Sequence, residues 1–296
     1  MLGVRRDDAT ESRVKDTDMK IQKAMDKALK QAPKAVPVEK REAEPVKGSG
    51  VKEEWAPPVY RDSKFIQLDL SAIKEKRCVC IETNAPELDF YKVLRTQILQ
   101  LTKPKGWRTV MITSIQPGEG KTLTSINLAL TFAKAYQQTI LLVDCDFRQQ
   151  KVYRYLGLNS SGGIVDYLVN GTSLRDLIIW PGVEKLTLIS GGRTVSESAE
   201  LLESPRMREL VTEMKNRYED RYVFFDVPPL LSGADALTFS PLVDAIVVVV
   251  EEGRTSVKEV EKAVSLIPRE KFLGFVLNRA HIPKKSYYSY HKDKGK

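Results

Sequence analysis

Between Ser114 and Thr122 the chain reads Ser-Ile-Gln-Pro-Gly-Glu-Gly-Lys-Thr, a pattern of residue types suited to holding phosphate. Glycines at 118 and 120 permit a tight turn in which several backbone N–H groups point inward at an anion. Lys121 supplies a point charge for β- and γ-phosphates, and Thr122 a hydroxyl ligand for Mg²⁺. The candidate nucleotide contacts are therefore Pro117, Gly118, Glu119, Gly120, Lys121, Thr122 and Leu123. The usual pattern opens on glycine, whereas Ile115 stands at that position here.

Two other segments end in carboxylates. Ile140-Leu-Leu-Val-Asp144-Cys-Asp146-Phe-Arg148 is an apolar run closing on two aspartates, and Tyr222-Val-Phe-Phe-Asp226-Val-Pro-Pro229 closes on one. Mg²⁺ keeps several waters, so one or two protein carboxylates beside phosphate oxygens suffice to hold it. Thr122, Asp144 and Asp226 are the candidate metal ligands, and Lys121, Asp144, Asp146 and Asp226 the candidate catalytic groups. Each aspartate alone reads as a helix cap or a turn residue. Together with the Gly-Lys-Thr cradle they read as an ATP–Mg²⁺ site. Arg148 either touches a phosphate or pairs with Asp146.

These groups need a scaffold that brings strand ends together. Thr109–Thr113 is β-branched and apolar, and Leu123–Tyr136 carries apolar residues at helical spacing, so the cradle lies between a strand and a helix. Further strands are expected at Thr139–Val143, Leu186–Ser190, Tyr222–Phe225, Ala245–Glu251 and Phe272–Leu277. Helices are expected at Glu87–Leu101, Ser204–Arg217 and Ser256–Leu266. Such alternation implies an α/β fold: a mostly parallel central sheet with helices on both faces and ligands at the carboxyl ends of its strands.

The net charge of +8 resides largely in the first fifty and last thirteen residues. No basic patch interleaved with aromatics marks the remainder, which argues against nucleic-acid binding. Cys78, Cys80 and Cys145 form no disulfide framework, and His281 and His291 are too far along the chain to complete a metal site with them. No apolar run approaches the ~20 residues of a membrane span, and the N-terminus lacks a signal-peptide core. A cytoplasmic protein is expected. Residues 1–60 read as a flexible region, rich in Pro, Lys and Glu. Within it Ile21, Met25 and Leu29 share one face, as in either a docking helix or a solvated coil. Residues 61–280 then form the nucleotide-binding domain, and residues 281–296 a basic tail.

The three segments Pro-Gly-Glu-Gly-Lys-Thr, Val-Asp-Cys-Asp-Phe-Arg and Phe-Phe-Asp-Val-Pro-Pro resemble the Walker A, A′ and B motifs of the bacterial tyrosine kinases. The resemblance covers about two-thirds of the chain, from Asp89 onward. Glu200-Leu-Leu, Ser204-Pro-Arg-Met-Arg, Ala234-Asp-Ala and Val243-Asp-Ala-Ile-Val-Val-Val-Val add to it. It is nearest to the stand-alone autokinases encoded with exopolysaccharide machinery. The resemblance implies a P-loop NTPase fold of the deviant-Walker type and tyrosine autophosphorylation with ATP and Mg²⁺. It also implies that Asp146 orients or deprotonates the acceptor and that Asn278 and Arg279 contact adenine. Tyr287, Tyr288 and Tyr290, three of eleven tyrosines crowded into four positions of the tail, become acceptors donated to a neighbouring subunit. Each phosphate adds about −2 of charge, which would weaken docking of a basic tail on an acidic site.

The implied partners are further copies in a homo-oligomeric ring and a transmembrane polysaccharide chain-length regulator that recruits the protein to the inner face of the membrane. The family's subunit-packing motif, Glu-x-x-Arg-x-x-Arg, is here Asp89-x-x-Lys92-x-x-Arg95, and Lys lacks the bidentate fork of Arg. A second departure is Val227, where a hydroxyl residue usually follows the Walker B aspartate. The alternatives are a partition- or septum-positioning ATPase, or an ATP-gated adaptor. The former usually carries an extra lysine early in the loop, where Ile115, Gln116 and Pro117 stand here.

Overall fold

The computed structural model describes residues 63–82, 84–135, 138–159 and 162–281. Its eight strands are β1 (Lys64–Phe65), β2 (Thr109–Ser114), β3 (Thr139–Asp144), β4 (Ile179–Trp180), β5 (Leu186–Ile189), β6 (Arg221–Asp226), β7 (Ala245–Glu251) and β8 (Phe272–Asn278). They form one sheet in the order β1-β4-β5-β3-β6-β2-β7-β8. From β5 to β8 all neighbours pair parallel, while β4 meets β5 antiparallel.

The strands are apolar on both sides because both faces of the sheet are covered. Val110, Ile112, Ile140, Leu142, Phe224 and Val249 pack on one face. Their immediate neighbours Met111, Leu141, Val143, Phe225 and Val248 pack on the other. The helix Lys121–Ala133 lies on the first face and is buried at every position except Leu123. Leu88 and Ile98, from the helix Leu88–Thr102, belong to the same core. The helices Pro205–Asn216 and Val257–Ser265 cover the opposite face.

Helix boundaries follow local chemistry. Ser204 Oγ accepts from Met207 N at 3.2 Å with Pro205 at the first helical position, and Ser256 with Glu259 forms a capping box. The helix after the phosphate loop begins at Lys121, two residues earlier than expected, because the last glycine of the loop caps it. Register then builds the site: Asp144 lies beside Asp226 on adjacent strands, and Asp226 beside Ile112, just before the loop. Among the described residues no helix is long and apolar enough to cross a membrane. The helix expected near Ile21, Met25 and Leu29 and the tyrosine-bearing tail lie outside the described residues.

Candidate active site

Gly118 and Gly120 have φ of 89° and 97°, the left-handed region that a side chain disfavours. A Cβ on Gly120 would also lie 2.2 Å from Asn278 Nδ2. Ile115 has no such requirement: its side chain is fully buried in the core beneath the loop. That is why glycine is dispensable at the first position.

Glu119 turns inward. Its Oε2 accepts from Ile115 N and Gln116 N, both at 2.7 Å, and the Thr255 hydroxyl donates to its Oε1. The Glu119 side chain thus braces the base of the loop rather than facing the nucleotide cleft. Gln116 Nε2 donates to Glu259 at 2.9 Å and Arg254 to the Pro117 carbonyl at 3.1 Å, so residues 254–259 hold the loop from behind. Glu119→Ala leaves two N–H groups unpaired, at a cost of about 1–3 kcal/mol each. The expected result is a roughly tenfold rise in the Kd for ATP, read by equilibrium titration. An unchanged Kd would contradict the bracing role.

Lys121 Nζ lies 2.9 Å from Asp146 Oδ2 and 3.3 Å from Asp226 Oδ2. Burial alone would lower its pKa, but Asp226 and then Asp146 hold it well above the ordinary lysine value. Asp226 accepts from Thr122 Oγ1 at 2.7 Å and from Ser125 Oγ at 3.1 Å. Burial pushes Asp226 up, against the pull of Lys121. Ser125 was not foreseen. It lies three and four residues beyond Thr122 and Lys121, a spacing that shares their helix face.

Asp144 is placed differently from Asp146. Its two oxygens accept from Asp146 N and Val152 N, both at 3.0 Å, so it shapes the turn that follows β3. Burial and then the neighbouring Asp226 charge push it up to about 8. Asp146 borders the cleft, with Oδ1 accepting from Gln149 N at 3.1 Å. Arg148 does not pair with Asp146. Its Nε donates to Ser198 Oγ at 2.9 Å and its Nη2 lies 3.3 Å from the buried Asp235.

The cleft beside the loop encloses about 510 Å³. Asn278 and Arg279 border it. Asn278 Nδ2 donates to the Glu119 carbonyl at 2.7 Å, and Arg279 pairs with Glu251 at 2.5 Å. Lys76, Arg77, Lys151 and Tyr155 also border it and were not anticipated. The rim is therefore cationic rather than the acidic surface expected to dock a basic tail. On the helix Leu88–Thr102, Lys92 Nζ pairs with Asp89 at 2.9 Å in the open, while Arg95 donates to the Thr131 carbonyl at 2.7 Å within the same chain.

Among the described residues no three acidic, histidine or cysteine side chains form a metal cage. Mg²⁺ bound through phosphate needs none, and a hydroxyl and a carboxylate already 2.7 Å apart fit it. Thr122 and Asp226 are the residues present in that arrangement, and the oxygens of Asp144 are already engaged by backbone.

The family model described as "AAA domain" matches residues 107–271. The tyrosine-protein kinase YwqD of Bacillus subtilis is 32% identical over 206 residues, covering 69% of this chain and 86% of that protein. A putative tyrosine-protein kinase of Staphylococcus aureus, CapB, is 29% identical over 203 residues, covering 68% and 88%. The solved kinase domain of the Escherichia coli tyrosine kinase ETK superposes with a TM-score of 0.63 at 25% identity, covering 71% and 84%.

Proposed function

The chain belongs to the bacterial tyrosine-protein kinase family and is a P-loop protein-tyrosine kinase, and we propose that it phosphorylates its own C-terminal tyrosines from ATP–Mg²⁺. The observation that carries this reading is that Lys121 reaches Thr122, Asp146 and Asp226 through contacts of 3.4 Å or less, with Thr122 also bonded to Asp226, and that Lys121, Thr122 and Asp146 line one cleft. Phosphoryl transfer needs chiefly positioning and charge neutralisation, which such a cluster supplies.

Gly118 to Leu123 turn backbone N–H groups toward the β- and γ-phosphates, and Thr122 and Asp226 would hold Mg²⁺, which when bound would supply charge neutralisation at the phosphate oxygens. Asp144 keeps the turn that presents Asp146. Phosphate oxygens draw Lys121 away from Asp146, and the freed Oδ2 then accepts the phenolic proton of the incoming tyrosine. The tyrosine oxygen bonds to the γ-phosphorus as the bond to ADP breaks. Asn278 and Arg279 border the adenine.

The acceptors in this reading are Tyr287, Tyr288 and Tyr290 of a neighbouring subunit, with 61–280 as the kinase domain and 281–296 as the tail. Subunits pack through Asp89, Lys92 and Arg95. A transmembrane chain-length regulator recruits the kinase to the membrane, where it controls exopolysaccharide or capsule synthesis and export. Changing Tyr287, Tyr288 and Tyr290 together to Phe is expected to remove most phosphotyrosine while ATP binding persists. Undiminished phosphotyrosine on immunoblots would place the acceptor elsewhere.

A further inference from the structure

Three cations on the cleft wall are not among the nucleotide and metal residues placed above. The charge of Lys121 is already matched by Asp146 and Asp226, and that of Arg279 by Glu251. Lys76, Arg77 and Lys151 remain, and among the described residues no carboxylate pairs with any of them. They border the same cleft as Asp146, Gln149 and Tyr155. Lys76 Nζ donates to the Arg154 carbonyl at 2.8 Å, which fixes this turn against the helix Lys151–Tyr155. Arg77 adopts φ 64°, uncommon for a non-glycine residue, and its carbonyl accepts from Asn127 Nδ2 at 3.1 Å. The guanidinium is thus carried by a pinned backbone rather than a free loop.

The proposed acceptor tail carries Lys284, Lys285, Lys292 and Lys294 around its tyrosines, so an unmodified tail is repelled by this wall. One phosphotyrosine contributes about −2 of charge and three acceptor oxygens, which favours Arg and Lys contacts. In an extended segment residues two apart point to the same side, so Tyr288 and Tyr290 can face the cleft together. We propose that Lys76, Arg77 and Lys151 form a phosphate-monoester subsite that holds one phosphotyrosine while the tyrosine two positions away is phosphorylated. The kinase then prefers a tail already modified once, and successive transfers favour completion of the cluster. This rests on the autokinase reading above. In the step itself only the new oxygen–phosphorus bond forms and only the bond to ADP breaks. The held phosphate takes no part.

The test uses the full chain with Tyr287, Tyr288 and Tyr290 changed to Phe, offered synthetic peptides of residues 281–296. One peptide is unmodified and the other carries phosphotyrosine at 290, both with Tyr287 replaced by Phe. Transfer to Tyr288 is expected to be about tenfold more efficient, as kcat/KM, for the phosphopeptide. Adding Arg77→Asn and Lys151→Gln should erase that preference without moving the KM for ATP; Asn tolerates the left-handed backbone. Equal transfer to both peptides would overturn the proposal. A rise in the KM for ATP would also do so, because it would assign the cations to the nucleotide's phosphates. Absence of transfer to either peptide would count against the autokinase reading instead. Fluorescence anisotropy of the labelled peptides with ADP–Mg²⁺ decides the subsite in that case: tighter, Arg77-dependent binding of the phosphopeptide supports it, and equal binding refutes it.

Discussion

Lys121→Met is expected to lower tyrosine phosphorylation by about a thousandfold or more, the scale of losing a charge that stabilises a transferring phosphoryl group. Lys121 is the cation that bridges Asp146 and Asp226, at 2.9 and 3.3 Å, and it is 8% exposed. Methionine fills similar volume but supplies no charge to phosphate. Removing one partner from a buried ion pair costs about 3–5 kcal/mol when the other stays ionised. Here the cost is partly relieved, because burial already favours the protonated form of Asp226. The variant should therefore remain folded, with a lower melting temperature and no phosphotyrosine. A folded, purified variant that keeps its phosphotyrosine signal would remove Lys121 from the chemistry.

Asp226→Asn is the second large effect. Asparagine keeps the shape and one acceptor, so Thr122 and Ser125 remain satisfiable, but the negative charge opposite Mg²⁺ is gone. Activity is expected to fall about a hundredfold or more, with partial recovery at high Mg²⁺. The same change alters how stability depends on pH. Asp144 lies at about 8 in the folded chain, chiefly through burial and then through Asp226, and near its ordinary value when unfolded. The folded state therefore binds the extra proton, and its stability falls as pH rises from the ordinary carboxylate range up to about 8. Asp226→Asn removes both the Asp226 charge and a second carboxyl raised by burial, so the fall in stability with rising pH should flatten. Thermal melts of the two proteins without nucleotide check this; parallel pH profiles would contradict the coupling.

The central strands were legible because each is buried on both sides and must be continuously apolar. The strands β1 and β4, two residues each, leave no periodic signature, and neither was anticipated. Gly118, Gly120, Lys121 and Thr122 were legible because their spacing specifies a backbone shape. Asp226 was legible as the acid at the end of an apolar run. The direction of a side chain was harder to read. Glu119 sits in the middle of the motif yet faces its interior, because two N–H groups at the base of the loop and Thr255 need an acceptor there. Asp144 and Asp146, two positions apart, were both candidates to face the cradle, and the turn after β3 sends only Asp146 to the cleft wall. Arg148 found Ser198 and Asp235, partners distant in sequence that only the fold brings near. Lys76 and Arg77 reach the cleft from a segment before the first central strand, a juxtaposition that no local pattern encodes.

The most direct test of the central claim is a mass-spectrometric map of phosphotyrosine after the purified chain is incubated with ATP and Mg²⁺. The account predicts phosphate on Tyr287, Tyr288 and Tyr290, and none in the Lys121→Met variant. Release of inorganic phosphate with no phosphotyrosine on the protein would contradict it and leave an ATPase of the partition or septum-positioning type.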